Sequence, residues 1–538
     1  MPTEGEHISL YPRLIDIPEE HLVMEKIHQN YFLMNGKLYP WNGSLQNVYS
    51  PILINENDEY SKYLIGSYPL MDGEIAMSAL KAAEHAFDNG KGDWPAMTFE
   101  QRLDYLIDFY ERLKSKKREI VKLLMWEIGK PLAEAEKEFN RTIQNMEDTF
   151  EELKKLDRDA SEFINEGGIT AQIRRTPLGV ALCMGPFNFP LNEAFATLIP
   201  ALMMGNTIVF KPPKHGVLLH EPLLDLFRIC FPKGVVNTIY GEGEEVVKPI
   251  LKSGNINVLA FIGNSDVANK LRSYHPRPNR LTEVYGLEAK NPGIVLHDAD
   301  LDFSVSECLK GALTFNGQRC TALKILFVHT SLVNSFLEKL KHQLAQVKVG
   351  MPWEKDVVIT PLPEDNKTDY LADLVKDARS NGASVINTHG GNSEETIFFP
   401  TVLYPVNEHM KIYHEEQFGP VIPIVPYDDI EEPLQYIEHS KYGQQVSIFG
   451  NNPESIADLI TPLLNQTARV NINSLCQRGP DSLPFTGRKD SAKATLSISD
   501  ALNVFSLRSV LAAKKSAKNQ KILHEAMYAG KTSCLTNE

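Results

Sequence analysis

The sequence predicts an α/β protein with two doubly wound parallel-sheet domains, and three observations carry that expectation. At 538 residues the chain exceeds what a single core serves, so two to four domains are expected. Between residues 180 and 262 short apolar runs alternate with helical segments, and a second series of the same kind begins near residue 289. The runs are continuously apolar rather than alternating, as strands covered on both faces are.

Taken in order, residues 1–70 mix short apolar runs with turn pairs such as Asn35-Gly36 and Asn42-Gly43, and read as a leading segment on the surface of a larger body. From 73 to 156 apolar residues recur at helical spacing: Met77, Leu80 and Ala83; Leu103, Leu106, Phe109 and Leu113; Ile120, Leu123 and Leu124. Residues 169–175 alternate, as an exposed strand leading into Pro177 does. The first strand series is 180–184, closing at Gly185-Pro186; 207–210, closing at Lys211-Pro212-Pro213; then 236–240 and 258–262, each followed by glycine. Ligands of such sheets bind at the carboxyl ends of the strands, where these turns lie. The second series is 293–296, 324–328, 384–386 and 421–425. The tail alternates again over 504–510 and becomes lysine-rich from Lys514.

Composition is that of a soluble globular protein, 43% hydrophobic and 23% charged, with a mean hydropathy of −0.24. A net charge of −14 argues against non-specific binding to nucleic acid. Six cysteines without paired spacing point away from disulfide or metal frameworks and towards a reducing, cytoplasmic setting. The polar, acidic start (Met1 to His7) is unlike a signal or transit peptide. The most apolar region, 194–210, is broken by Pro200, Gly205 and Asn206, so no membrane partner is expected.

The stretch Phe315-Asn316-Gly317-Gln318-Arg319-Cys320-Thr321 sets one cysteine beside a cation, just ahead of an apolar strand. A thiolate next to a positive charge forms more readily than a free thiol, and the thiolate is the nucleophile. The competing reading of a lone cysteine is a small buried core residue. No GxGxxG fingerprint is present: Gly241-Glu242-Gly243 lacks a third glycine, and Phe261-Ile262-Gly263-Asn264-Ser265 holds one.

Five motifs occur in order: Gly185-Pro186-Phe187-Asn188-Phe189-Pro190; Gly205-Asn206-Thr207 with Phe210-Lys211-Pro212-Pro213; Asn316 to Thr321; Glu415-Glu416-Gln417-Phe418-Gly419-Pro420; and Pro484-Phe485-Thr486-Gly487. Together they resemble the aldehyde dehydrogenase superfamily over roughly residues 70–512. Gly317 to Ala322 and Asn471 to Asp481 resemble its non-phosphorylating glyceraldehyde-3-phosphate dehydrogenases.

The resemblance implies that Cys320 adds to the aldehyde carbon, that Asn188 and the Cys320 backbone N–H hold the oxyanion, and that hydride leaves for a nicotinamide, so that a thioester remains. It aligns Pro186, Lys211, Gly263, Glu416 and Phe418 with the cofactor, Glu416 on the nicotinamide ribose. In NAD-preferring relatives a carboxylate commonly stands three residues after the lysine; here that position is Lys214, followed by His215, and a cation there attracts a 2′-phosphate. NADP is therefore expected, with NAD possible. Arg141, Arg319 and Arg478 surround the implied substrate mouth, where guanidinium forks suit a phosphate. The phosphate-binding tyrosine of the resemblance is Phe189 here.

The largest departure concerns the base that releases the acyl group. The family reads Glu-Leu-Gly-Gly-Lys before Asn-Pro, whereas this chain has Gly286-Leu287-Glu288-Ala289-Lys290-Asn291-Pro292. In an extended segment Glu288 faces the same side as Gly286, about 6–7 Å along. Glu288 is then a replacement base, or the base is lost and the acyl group passes slowly to water or to an acceptor such as coenzyme A or phosphate, or Glu288 is a structural carboxylate paired with Lys290 or solvent. A dehydrogenase fold kept as a binding protein is the rival outside catalysis.

The implied architecture has a cofactor-binding domain (1–157 and 178–288), a catalytic domain (289–488), and a β-arm with C-terminal tail (158–177 and 489–538). A bare edge strand of that length is a liability, so pairing between copies into a homodimer or homotetramer is expected.

Overall fold

The computed structural model describes residues 10–528 apart from 24 and 58; the first seven residues and Cys534, read above, lie outside the described residues. The leading segment is more than a surface layer. Strands Leu45–Glu56 and Glu59–Pro69 pair antiparallel, and Ile52, Ile54 and Ile65 sit wholly within the main core. Neither strand alternates along its whole length: the first is buried on both faces from Ser50 to Asn55, and the second is exposed at the hairpin end and buried from Ile65 to Pro69.

The helical stretch forms as its periodicity predicts. Asp72 accepts from the Glu74 and Ile75 N–H groups to start Gly73–Phe87, and a Thr98–Gln101 capping box starts Phe99–Lys114. Lys117–Ile128 stops at Gly129, whose φ of +66° needs no side chain. The next helix, Leu132–Ser161, runs through the first residues expected in the arm.

Two twisted sheets follow. The first has five parallel strands in the order Val236–Thr238, Thr207–Lys211, Val180–Met184, Val258–Ile262 and Thr282–Gly286. Ala492–Lys493 closes its edge antiparallel, although residues past 489 were expected in the arm. Chain order reverses between Val180–Met184 and Val258–Ile262, and such a reversal opens a crevice at the strand ends. The second sheet runs Ser384–Val385, Thr401–Tyr404, Val421–Tyr427, Leu323–His329, Asn291–Val295, Gln445–Phe449 and Arg469–Ile472, parallel except at the first pair. Since Thr282–Gly286 belongs to one sheet and Asn291–Val295 to the other, residues 287–290 are the link between them. A third sheet pairs Ser506–Lys514 with Ile169–Pro177 along nine residues, with Phe163–Glu166 beyond.

Candidate active site

The carboxyl ends of the first sheet and the Cys320 loop open onto one cavity of about 1380 Å³. Met184, Lys211, Ile262 and Gly286 line it at the strand ends, Cys320 and Arg319 on the other side. Its volume exceeds the usual range of about 300–1,000 Å³ for small-molecule sites, which leaves room for a dinucleotide and a small substrate together.

The loop carrying Cys320 is held on both sides. After the helix Leu301–Leu313 the chain turns through Phe315 and Asn316 at positive φ (+50° and +57°), and the Asn316 amide exchanges hydrogen bonds with Thr360. A Cβ on Gly317 would stand 2.6 Å from the Ala312 carbonyl oxygen and 2.8 Å from that of Gly419, so no larger residue fits. Asn291 Nδ2 donates to the Cys320 carbonyl at 2.7 Å, and Asn188 Nδ2 donates to the Gln318 carbonyl at 2.8 Å. Asn188 keeps a second amide hydrogen for an oxyanion. The thiol itself is not eased towards the thiolate by its neighbour: burial, with Glu193 and Glu416 nearby, pushes Cys320 up to about 11. Arg319 turns away, its Nη2 donating to the Gly311 carbonyl at 2.8 Å.

At the cofactor end Lys211 leaves its strand with one weak contact, 3.5 Å to the Pro212 carbonyl, and burial pulls its amine down to about 8. A part-buried amine with donors to spare fits the oxygen-rich ribose and phosphates of a dinucleotide. Pro186 and Gly263 line the same space, Gly263 anchored by its N–H to the Gly286 carbonyl. Lys214 lies at the rim, half exposed, with Asp365 at 3.8 Å. Glu416 accepts from Lys324 Nζ at 2.9 Å and from the Ala289 N–H at 3.2 Å, and Lys324 stands 4.4 Å from the Phe418 ring centre.

At the substrate end Arg141, Arg319 and Arg478 all line the cavity. Arg141 forms a two-pronged bond to Asp481 at 2.9 and 2.6 Å, and Arg478 is ion-paired with Glu193 and with Asp481. These forks are engaged within the chain and do not point free into the mouth. Glu288 lines the cavity, but its carboxylate accepts from Asn264 Nδ2, from the Ser265 N–H at 3.0 Å and from Ser265 Oγ at 2.7 Å. The alternative pairing with Lys290 does not occur: Lys290 Nζ donates to the Glu415 carbonyl and to Gln417 Oε1, both at 2.7 Å. A helix begins at Ser265, and its free N–H groups draw the carboxylate to that end.

The model of the aldehyde dehydrogenase family matches residues 53–510. The chain belongs to the aldehyde dehydrogenase family. An NADP-dependent glyceraldehyde-3-phosphate dehydrogenase of Streptococcus equinus is 31% identical to it over 482 residues, 87% of this chain and 94% of that one. A 3-sulfolactaldehyde dehydrogenase of Priestia aryabhattai is 27% identical over 396 residues, 73% of this chain and 81% of that one. Among solved structures, the NADP-dependent glyceraldehyde-3-phosphate dehydrogenase of Bacillus halodurans, complexed with NADP, superposes with a TM-score of 0.83 at 29% identity, covering 91% of this chain and all of that one.

Reading this aldehyde dehydrogenase by motif missed four residues of the site. Lys130, wholly buried, donates to the Asn188 carbonyl at 2.7 Å and stands 3.7 Å from the Phe189 ring centre. Phe189, the tyrosine position of the resemblance, thus packs on a cation. Gln444 lines the cavity beside Cys320 and favours its thiolate against the effect of burial, and Asn291 and Glu193 complete the set. Only Asn291, inside the aligned Asn-Pro, had a sequence signal; the others lie 58, 124 and 5 positions from the residues they touch or flank, with no motif of their own. Among the described residues no helix is long and apolar enough to cross a membrane, and no cluster of His, Cys, Asp and Glu side chains stands ready for a metal.

Proposed function

We propose that this aldehyde dehydrogenase oxidises a small aldehyde with an anionic far end to the acid, with D-glyceraldehyde 3-phosphate as the best single substrate, using NADP and Cys320. One observation carries the reading: the Cys320 loop, pinned by Asn188 and Asn291, opens onto the same cavity as the part-buried Lys211 amine. In this reading the Cys320 sulfur adds to the aldehyde carbon, and its proton goes to solvent or a nearby carboxylate. The second Asn188 amide hydrogen and the Cys320 N–H steady the oxyanion. Lys211, Glu416, Pro186, Gly263 and Phe418 would hold the cofactor, and Lys214 would favour a 2′-phosphate at its rim. Bound there, the nicotinamide would supply the hydride acceptor. Arg319 keeps a buried Nε without a partner, which suits it to an anionic substrate.

Because Glu288 is engaged by Asn264 and Ser265, release of the acyl thioester to coenzyme A or phosphate is the second reading, and it is supported by that one observation. We also propose that copies pair through the strand Ser506–Lys514, whose Leu507 and Val510 are 59% and 61% exposed. The division into cofactor, catalytic and arm parts belongs to the same proposal.

Steady-state assays of glyceraldehyde 3-phosphate against glyceraldehyde, each with NADP and NAD, test the function. The expected result is a higher kcat/KM for the phosphorylated aldehyde with NADP; equal or lower values overturn it. Acceleration by coenzyme A, with the acyl thioester as product, selects the second reading.

A further inference from the structure

Around the mouth, three guanidiniums meet two carboxylates. Asp481 binds Arg141 with both oxygens and approaches Arg478 Nε at 3.4 Å. Glu193, in the first turn of the helix Asn192–Met203, pairs with Arg478 from the other side. Arg478 and Glu193 are 6% and 8% exposed, and the arginine lies 4.7 Å from the Phe485 ring centre with its Nη2 directed to the Leu496 carbonyl. The Arg478 guanidinium is thus held between two carboxylates, although its Nε makes no hydrogen bond. Arg319 spends one nitrogen on the Gly311 carbonyl; its Nε, like that of Arg478, is buried without a hydrogen bond, but Arg478 is the one ion-paired with both carboxylates.

Nothing in a motif explains why an acidic side chain stands at 193, in a helix whose twelve residues are all buried. A charge placed there has a desolvation cost, and it persists because Arg478 compensates it. The consequence is electrostatic. Within this cluster two guanidiniums are neutralised by two carboxylates and the third, Arg319 next to Cys320, is left over, with Glu134 near it and Lys137 and Lys310 further along the cavity lining. A cluster with one guanidinium left over compensates the second charge of a dianion less well than a cluster with two, because that charge is desolvated with a weaker partner.

We propose that Glu193 is a specificity-determining residue: it holds Arg478 away from the substrate, so that the mouth binds a phosphate dianion less tightly than its three arginines would otherwise allow and accepts small aldehydes ending in a carboxylate or sulfonate beside the phosphorylated one. The proposal deepens the reading of an anionic aldehyde given above and rests on it for the substrate, though not for the charge pattern. Specificity of this kind comes from an element that opposes the wrong partner as much as from one that attracts the right one.

The test uses dead-end anions as competitive inhibitors of propionaldehyde oxidation at saturating NADP: inorganic phosphate and methanesulfonate. In Glu193→Gln the freed Arg478 should lower the Ki of phosphate about tenfold, while that of methanesulfonate changes less than about threefold. In the double variant Glu193→Gln/Arg478→Gln the charge at the mouth is again that of the wild type, and the phosphate Ki should return to within about threefold of the wild-type value. An unchanged phosphate Ki in the single variant overturns the proposal. So does loss of phosphate inhibition in the double variant, since Arg478 would then have held the anion all along. Protection of Cys320 from iodoacetamide by the same anions gives the same comparison without turnover, and serves should a variant fold but not oxidise. Should the wild type show no preference for any anionic aldehyde while the Ki pattern holds, the reading of the substrate falls and the role of Glu193 stands.

Discussion

Lys130 and Asn188 are joined by a 2.7 Å hydrogen bond from the lysine Nζ to the asparagine backbone carbonyl, 58 residues apart in sequence. Glu138 pairs with the same lysine, and its other oxygen accepts from the Leu191 and Asn192 N–H groups at 3.0 and 3.1 Å. The pair therefore fastens the turn 188–192 to the helix Leu132–Ser161. Removing the lysine alone strands a buried carboxylate. Lys130→Met is expected to cost about 3–5 kcal/mol in denaturant unfolding, and Glu138→Gln in that background should regain part of it. Additive losses in the double variant would show that the two are not coupled.

Cys320 carries a second prediction. With its thiol pushed up to about 11 by burial and by Glu193 and Glu416, little thiolate exists at neutral pH in the free enzyme. The alkylation rate by iodoacetamide should climb about tenfold per pH unit between pH 7 and 10. Glu193→Gln removes one of the opposing charges and should speed the reaction at any fixed pH in that range. A plateau below pH 9 would contradict this.

Lys211 should make cofactor affinity depend on pH. Burial lowers its amine to about 8, so the cation is present below that pH and lost above it. NADP binding, measured by calorimetry, should weaken severalfold from pH 7 to pH 9.5 in the wild type and stay flat over that interval in Lys211→Met. Equal slopes for the two proteins would remove Lys211 from the site.

Lys214 is half exposed and has only a long ion pair with Asp365. Lys214→Glu should lower the ratio of kcat/KM with NADP to that with NAD by about tenfold or more, by replacing an attraction with a repulsion. NAD preference in the wild type would defeat the argument at its start.

Glu288 is predicted to cap rather than to catalyse. Its carboxylate serves the helix that starts at Ser265, so Glu288→Gln should cost about 0.5–2 kcal/mol of stability and change turnover less than threefold. A stopped-flow burst of NADPH followed by slow turnover in that variant would restore Glu288 as the base.

The expectation for Glu288 arose from its spacing to Gly286, which concerns one strand, whereas its partners lie on another element 23 and 24 residues away. The same limit applied to the arginines. Their number and type were legible, but guanidinium forks are satisfied by whatever carboxylate the fold brings near, and Glu193 lies 285 positions from Arg478. The Cys320 thiol shows the converse: adjacency to Arg319 in sequence suggested an eased thiolate, yet the arginine turns to Gly311 and buried carboxylates take its place.

What the sequence determined by itself was local and repetitive: strands that close on glycine, helices with their caps, a cysteine on a tight turn, and five motifs in order. These follow from backbone sterics and from apolar periodicity, which act over a few residues. The tertiary structure alone decided which charges are free. Charge is settled by distance and burial, and those arise only when Glu193 meets Arg478, Glu138 meets Lys130 and Glu288 meets Ser265 across segments with no shared pattern.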